Sequence, residues 1–299
     1  MSHRPNNELF RQLTRISHEV ALGNYDNVGA IFELTKETEY PPEIVEMAGS
    51  FGMMIVRIDA KQQHLERLIV DLNERQLVLE QLTASLKDAN TGILEALGSA
   101  IAKRDSDTHA HNYRVTLLAI HLGRTLNLEV SALQGLVKGS FLHDLGKIAI
   151  SDTILLKPGK LSDDEFRVMK SHVIHVSDII RSYPWLGDAY DVVHHHHEKF
   201  DGQGYPDQLS GTEIPLNARI FAVADVFDAL VSVRPYKKAF SFDMAMCEMS
   251  RARGSHFDPD ILDVFAKIAA GLYGEVYGLN ERELATLLRK RMQDCFLDD

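Results

Sequence analysis

The histidines of this chain, with the aspartates beside them, are the residues best able to do chemistry. A run of four, His194 to His197, leads directly into the segment HHEKFDGQGYP, and His143 and Asp144 stand together upstream in HDLGK. Imidazole nitrogens bind divalent first-row metals, and one carboxylate can bridge two ions. Adjacent His-His and His-Asp pairs therefore indicate a hydrolytic site that holds more than one metal ion.

The histidine run has two simpler interpretations, a surface tract that binds metal adventitiously and the remnant of a purification tag. The run lies in mid-chain, after apolar Val192 and Val193 and before a glycine-rich turn, which argues against a tag. Its combination with HDLGK and the downstream aspartates favours a functional site. His194 and His195 precede the HHE segment, and we expect neither to be a primary ligand of this site.

A two-metal site of this kind suits the hydrolysis of a phosphodiester, because the ions activate a water molecule and neutralise charge on the phosphate. Asp144 is predicted to bridge the ions. The other residues of a plausible ligand set are His111, His143, His172, His196, His197 and Asp225. Lys147, one helical turn after His143, would protonate the leaving oxygen or stabilise charge, although its local sequence fits an ordinary surface lysine equally well.

The composition is that of an acidic globular protein. The chain has 299 residues, 45% of them hydrophobic, and a formal net charge of -11. This charge argues against binding of duplex nucleic acid, which depends on clustered Lys and Arg. No apolar run approaches the roughly 18 residues of a membrane span, and the N-terminal residues lack a signal-peptide core. With two cysteines and no disulfide framework, we expect a cytoplasmic protein without membrane insertion.

Apolar residues recur at helical spacing along most of the chain, so the predicted fold class is all-α. Residues 8–22 form one predicted helix, which Gly23 interrupts. Pro41 and Pro42 precede a second helix, as proline often does. The residues predicted to share one face of that helix are Ile44, Met47, Phe51, Met54 and Ile58.

From Leu65 onward the apolar spacing alternates between three and four residues. The positions of the repeat are Leu65, Leu68, Leu72, Arg75, Leu79, Leu82, Leu86, Ala89, Ile93, Ala96 and Ala100. All are apolar except Arg75, and a mean spacing of 3.5 residues keeps one seam facing a partner helix. The repeat predicts a parallel dimeric coiled coil; a single helix packed on the domain core is the alternative.

Together, these motifs resemble the HD-GYP family, a branch of the HD-domain metal-dependent phosphohydrolases. The similarity covers about 90–275 and includes KRDSDTHAHNYRV, HDLGKIAISDTILLKPGKL, KSHVIHVSDII, HHEKFDGQGYP, IPLNARIFAVADVFDALVSVRPYKKA and HFDP. The resemblance implies an all-helical fold and cleavage of cyclic di-GMP to linear pGpG or GMP. Val173 and Val176 depart from the usual Pro and Gly, which affects packing more than chemistry.

The resemblance also implies roles for individual residues. Metal ligation is implied for His111, His143, Asp144, His172, His196, His197 and Asp225. Substrate contacts are implied for Tyr205, Arg234 and Lys237; Asp228 is grouped with them and would orient ligands or substrate from behind the metal ligands.

Asp107 stands where some family members carry an extra carboxylate for a third ion, although it fits a capping or solvated residue equally well. We therefore expect two or three divalent ions. Iron or manganese suits a histidine-rich site with bridging carboxylates.

The N-terminal segments LTRISHEVALGNYD and PPEIVEMAGSFGMMIVRI are similar to the two helices of a HAMP signalling module, with a plain helical hairpin as the alternative. We divide the chain into a signalling or dimerisation module (1–60), a coiled-coil linker (61–96) and a catalytic domain (97–299).

The leading hypothesis is a cyclic dinucleotide phosphodiesterase regulated through its dimeric N-terminal helices. The alternatives are a non-catalytic receptor for the dinucleotide, a phosphodiesterase for cyclic GMP-AMP, and a hydrolase of other nucleotides.

Overall fold

The computed structural model describes residues 4–34, 36, 40–104, 109–233 and 238–296. Within these ranges the regular structure is helical, with two isolated β-bridges and no strand, which confirms the all-α prediction. The chain divides into two compact units, Met1–Ser85 and Leu86–Asp299. The finer boundaries near residues 60 and 96 stay predictions.

Thirteen α-helices fall in the described part of the chain. They are α1 (Arg4–Ala21), α2 (Val28–Leu34), α3 (Pro42–Arg104), α4 (His109–Thr125), α5 (Val130–Leu142), α6 (Asp152–Leu155), α7 (Asp163–Lys170), α8 (His172–Arg181), α9 (Tyr190–His195), α10 (Leu216–Val231), α11 (Phe242–Arg251), α12 (Pro259–Val276) and α13 (Glu281–Phe296). Short 3-10 helices cover Leu145–Ala149, Pro184–Ala189 and Gly211–Glu213. None of the described helices combines the length and the apolar character needed to cross a membrane.

The first unit has a small apolar core to which α1, α2 and α3 contribute. Its buried residues are Leu13, Ile16, Ile31, Ala48 and Ile55. The predicted apolar face of the second helix is only partly right. Ile44 and Phe51 pack against this core, whereas Met47, Met54 and Ile58 are exposed. At 3.6 residues per turn, positions 44, 48, 51 and 55 share one side of α3, so small Ala48 takes the place expected for methionine.

The core of the second unit lies among α4, α5, α9, α10 and α12, with α5 packed against α4, α9 and α10. Its fully buried large side chains include Leu117, Ile120, Phe221, Phe227 and Phe265. Burying one such side chain contributes about 1.5–3 kcal/mol relative to leaving it in water. Apolar contacts therefore hold these helices together, and some of the same helices also bear polar side chains that lie near one another.

The start of α12 follows the local sequence. Asp258 caps the helix by accepting the backbone N–H of Asp260 at 2.9 Å, and Pro259 occupies the first turn. Proline is favoured there because its missing N–H has no intrahelical partner in any case. The Asp-Pro pair is thus a local signal for the start of this helix.

The 3-10 helix of the HDLGK segment packs closely against α8. A Cβ atom added at Gly146 would overlap the backbone carbonyl of His172 and would lie 2.9 Å from the backbone nitrogen of Val176. Glycine therefore sets how closely the two elements approach. The close approach brings His143 and Asp144 toward His172, the first residue of α8.

Gly146→Ala should lower the free energy of unfolding by about 1–3 kcal/mol, because the added methyl meets backbone atoms that cannot turn away. Thermal or urea unfolding followed by circular dichroism measures the change. Gly271→Ala is the matched control, since a Cβ there meets nothing within 4 Å on an exposed part of α12. It should be neutral or slightly stabilising. Equal stability of Gly146→Ala and the wild type would contradict the close approach.

Candidate metal centre

Two groups of potential metal ligands lie near each other in the second unit. In each group the ligand atoms are within 4.8 Å of one another; the first is His111, His143 and Asp225, and the second is His172, His196 and His197. The rings of His143 and His196 join the groups, with centroids 5.3 Å apart. The residues come from α4, α8, α10 and the ends of α5 and α9. The structure thus brings together six of the residues predicted as ligands.

Asp144 lies between the two groups and turns one carboxylate oxygen toward each. Its Oδ2 is 3.1 Å from Nε2 of His143, and its Oδ1 is 3.6 Å from Nε2 of His172. Nε2 of His172 is in turn 3.4 Å from Nε2 of His196. A carboxylate with one oxygen on each side is the arrangement that bridging between two metal ions requires.

The imidazole rings are oriented by their other nitrogen atoms. Nδ1 of His143, of His172 and of His196 each lies within hydrogen-bonding distance of a backbone carbonyl. The acceptors are Ser140 at 2.8 Å, Met169 at 2.8 Å and Val192 at 3.2 Å, respectively. An Nδ1–H donated to a carbonyl leaves the Nε2 lone pair for a metal ion, as is usual for metal-binding histidines.

His111 is oriented by a buried carboxylate rather than by a carbonyl. Asp228 is 0% exposed and lies 2.8 Å from Nδ1 of His111. It also accepts hydrogen bonds from Nε of Arg114 and the hydroxyl of Tyr277, both at 2.6 Å. Burial opposes the charge of Asp228, but the bonds from His111 and Arg114 hold its pKa well below the usual range. Asp228 therefore orients His111, a predicted ligand, from behind, and its predicted contact with substrate stays a prediction.

Burial and neighbouring charges set the protonation of the groups. Burial opposes a positive charge on His143, but the Asp144 carboxylate outweighs it and raises the pKa to about 9. Burial and nearby imidazoles hold the pKa values of His196 and His197 well below the ordinary value. Burial opposes the negative charge of Asp144, yet Lys147 and His143 keep its pKa well below the usual range. The charged carboxylate of Asp144 and the neutral rings of His196 and His197 are in the state that binds metal, whereas His143 must first lose its proton.

Lys147 and Tyr205 border the two groups. Nζ of Lys147 donates to Oδ2 of Asp144 at 2.8 Å, and its side chain is only 16% exposed, so it is not an ordinary surface lysine. The ring of Tyr205 stacks on His197 with the centroids 4.7 Å apart. These positions fit the predicted catalytic and substrate-contacting roles, which stay predictions.

Three predicted site residues fall outside the described residues. They are Asp107, Arg234 and Lys237. The third metal ion and the cationic contacts to substrate phosphate therefore stay predictions.

Sequence reasoning missed the residues that support the site from behind. Arg114 lies one helical turn after His111, a spacing that could have indicated it. Tyr277 is 49 residues from Asp228, and no local pattern connects the two. The packing of α12 against α4 and α10 brings the side chains of Arg114 and Tyr277 to Asp228.

The sequence motifs also indicated no role for Glu198. It is 2% exposed, and its Oε1 accepts the backbone N–H groups of Asp207 at 2.7 Å and Gln208 at 3.0 Å. These bonds close the loop that carries Tyr205. The position of Glu198 directly after the histidine run was the available signal.

Comparison with known proteins identifies the type of domain that contains these residues. A family model described as an HD domain matches residues 95–261. The chain is 41% identical over 207 residues to RpfG, a cyclic di-GMP phosphodiesterase response regulator of Xanthomonas campestris pv. campestris, covering 67% of this chain and 55% of that protein. It is 34% identical over 222 residues to 3'3'-cGAMP-specific phosphodiesterase 2 of Vibrio cholerae, covering 72% of this chain and 42% of that protein.

The crystal structure of a cyclic GMP-AMP-specific phosphodiesterase of V. cholerae, V-cGAP3, is similar in fold. It has a TM-score of 0.50 and 20% identity over 67% of this chain and 52% of that chain. The chain spans about half the length of the curated relatives it matches.

Loading the metal-free protein with Mn²⁺ at pH 7.5 should release at least about one proton per chain, because a metal ligand must be deprotonated. With a pKa of about 9, His143 carries a proton at this pH, whereas His196 and His197 are already neutral. Proton competition also means that metal affinity falls as the pH drops below about 9. Calorimetric titrations in two buffers of different ionisation enthalpy count the protons.

The matched control for this titration is His175→Gln, which removes an exposed histidine outside both groups. It should release the same number of protons as the wild type. Metal binding without proton release at pH 7.5 would contradict the charged state of His143.

Proposed function

Because the chain belongs to the HD domain family, and carries the motifs of its HD-GYP branch, we propose that it hydrolyses a phosphodiester bond of a cyclic dinucleotide. The observation that carries the proposal is the position of Asp144, with one oxygen toward each of two groups of potential metal ligands. The proposed substrate is cyclic di-GMP, the dinucleotide in the name of the relative that is 41% identical, and the proposed products are pGpG or GMP.

The donor set fits the divalent metal ions that the family implies. His111, His143 and Asp225 would hold one ion, and the second group would hold another, with Asp144 shared. The ions would supply hydroxide near neutral pH and would neutralise charge on the scissile phosphate. We propose iron or manganese, which accept both imidazole and carboxylate ligands.

The protein's own residues would position the substrate and move a proton. Lys147 holds its ammonium beside Asp144, where we propose that it protonates the departing ribose oxygen. Tyr205, held against His197, is proposed to contact the substrate at the edge of the site. Arg234 and Lys237 are proposed to bind its phosphates through charge-assisted hydrogen bonds.

Asp144→Asn should lower the rate of hydrolysis by at least about 100-fold, the scale of a disturbed metal environment, while helix content stays unchanged. The assay uses protein purified without oxygen, metal analysis, and product analysis with cyclic di-GMP and with 3'3'-cGAMP. Asp178→Asn, an exposed aspartate on α8, is the matched control and should keep full activity. Wild-type turnover by a metal-loaded Asp144→Asn protein would exclude the bridging role.

The same assay separates the alternatives. Turnover of 3'3'-cGAMP alone would replace the proposed substrate, as in the V. cholerae relative named for it. Tight binding of a dinucleotide to the metal-loaded protein without product would favour the non-catalytic receptor.

We also propose that two chains pair in parallel through the seam of α3. Its leucine and isoleucine side chains between residues 65 and 93 are 42–64% exposed in the single chain. Toward the end of α3, Leu94 and Ile101 are buried in the core of the second unit, whereas Ile93, Ala96 and Ala100 remain exposed. The face that packs on the core is thus not the seam, and a second copy of the chain is the partner that a 3-4 repeat fits.

Leu72→Glu combined with Leu79→Glu should produce monomers, because both chains would place charge in the seam. The matched control is Val70→Glu combined with Leu77→Glu, which adds the same charge at exposed positions five residues after a seam position, on the outer side of the helix. Sedimentation of the full chain at micromolar concentration measures both. A monomeric wild type, or a dimer indifferent to the seam substitutions, would remove the coiled coil.

Arg75 is the polar position of the seam and pairs with Asp71 at 2.9 Å within its own helix. A buried cation would weaken the dimer, so Arg75→Leu should tighten it. Dilution experiments by sedimentation measure the dissociation constant, and an unchanged or weaker dimer would place Arg75 outside the interface.

A further inference from the structure

We propose an additional metal site, formed by His194, His195 and Asp207, that binds one divalent cation of the zinc type. These three residues are separate from the two ligand groups of the candidate active site, and the family resemblance assigns them no role. The proposal does not depend on the reaction that the active site performs.

The distances among the three side chains suit a single small cation. Nε2 of His194 is 3.2 Å from Oδ2 of Asp207, and Nε2 of His195 is 3.3 Å from the same oxygen. All three ligand atoms lie within 4.8 Å of one another. Tetrahedral ligands at about 2.0–2.1 Å from Zn²⁺ are about 3.3 Å apart, so an ion fits between them with little movement.

The two rings are oriented by bonds at their other nitrogen atoms. The Ser177 hydroxyl donates to the carbonyl of Val173 at 2.6 Å, so its oxygen accepts from Nδ1 of His194 at 2.7 Å. Nδ1 of His195 lies 3.2 Å from the carbonyl of Asp191. Both rings therefore turn Nε2 toward the carboxylate, the arrangement in which histidine binds a metal ion.

The site is built on one side and open on the other. His194 and His195 are 7% and 8% exposed, and the ring of Tyr190 stacks on His194 at 4.9 Å. The Asp207 side chain is 50% exposed, which leaves an entry path and room for a water ligand. An imidazole and carboxylate set with one open position is typical of zinc sites with three protein ligands.

Glu198 adds negative charge to this site. It is buried, interacts electrostatically with His195 and Asp207, and its Oε2 makes no hydrogen bond in the described structure. A cation between His195 and Asp207 would offset part of this charge, since buried charges require compensation.

The ion would connect two elements that border the active site. His194 and His195 belong to the last turn of α9, whereas Asp207 follows directly after Tyr205 and Pro206 in the loop. His196 and His197 follow the end of α9 and belong to the second ligand group of the candidate active site, so the run borders both sites. A bound cation would therefore hold the Tyr205 loop against α9.

The test measures the zinc content of the full chain. Wild-type protein is stripped with a chelator, equilibrated with Zn²⁺ and analysed for metal per chain. Asp207→Asn, and separately His194→Gln combined with His195→Gln, should each bind about one equivalent less than the wild type. The matched controls are Asp178→Asn and His175→Gln, exposed residues on α8, which should keep the wild-type content.

A second comparison separates this site from the active site. In an Asp144→Asn background, adding Asp207→Asn should again remove about one equivalent. Co²⁺ in place of Zn²⁺ should show a visible absorption band that depends on Asp207 in this background. Unchanged zinc content in both the Asp207 and the double histidine variants, or a loss that disappears in the Asp144→Asn background, would overturn the proposal.

Discussion

The burial of several ionisable side chains around the Asp144 carboxylate is the constraint on which the second unit depends. A charge removed from water is costly unless other charges and hydrogen bonds compensate it. Lys147 lies 2.8 Å and His143 lies 3.1 Å from this carboxylate, while His172 faces its other oxygen. These side chains lie close together to compensate the buried charge, and the same closeness makes them potential ligands for divalent cations.

The surrounding helices meet this constraint by orienting four of the histidines from behind. Backbone carbonyls hold Nδ1 of three histidines, and the fully buried Asp228 holds the fourth. Asp228 in turn depends on Arg114 and Tyr277, so its position couples α4, α10 and α12. Gly146 allows the backbone contact that brings Asp144 close to His172, the first residue of α8. Packing, polar compensation and the proposed chemistry are thus properties of the same contacts.

The four residues of the histidine run belong to two different groups of side chains. His196 and His197 join the proposed catalytic groups, whereas His194 and His195 meet Asp207. Glu198 follows at once and accepts two backbone N–H groups of the loop that carries Tyr205. The loop beside the active site is therefore attached through Glu198 and, in our proposal, through a cation, which relates the position of Tyr205 to metal binding outside the active site.

The sequence by itself determined the helical class, placed the Asp258 cap and Pro259 at the start of α12, and predicted as metal ligands the six residues that the structure brings together in two groups. Helical spacing, capping and adjacent His-Asp pairs are local properties, because a helix turns about 100° per residue whatever it later packs against. Only the tertiary structure decided which carboxylate orients His111, that Tyr277 supports it, and that His194 and His195 meet Asp207. The tertiary structure likewise decided that Ala48 and Ile55, rather than the expected methionines, form the buried face of α3. Such contacts join residues that are far apart in the chain. They depend on how side chains pack between helices, and the spacing of residues within one helix does not determine that packing.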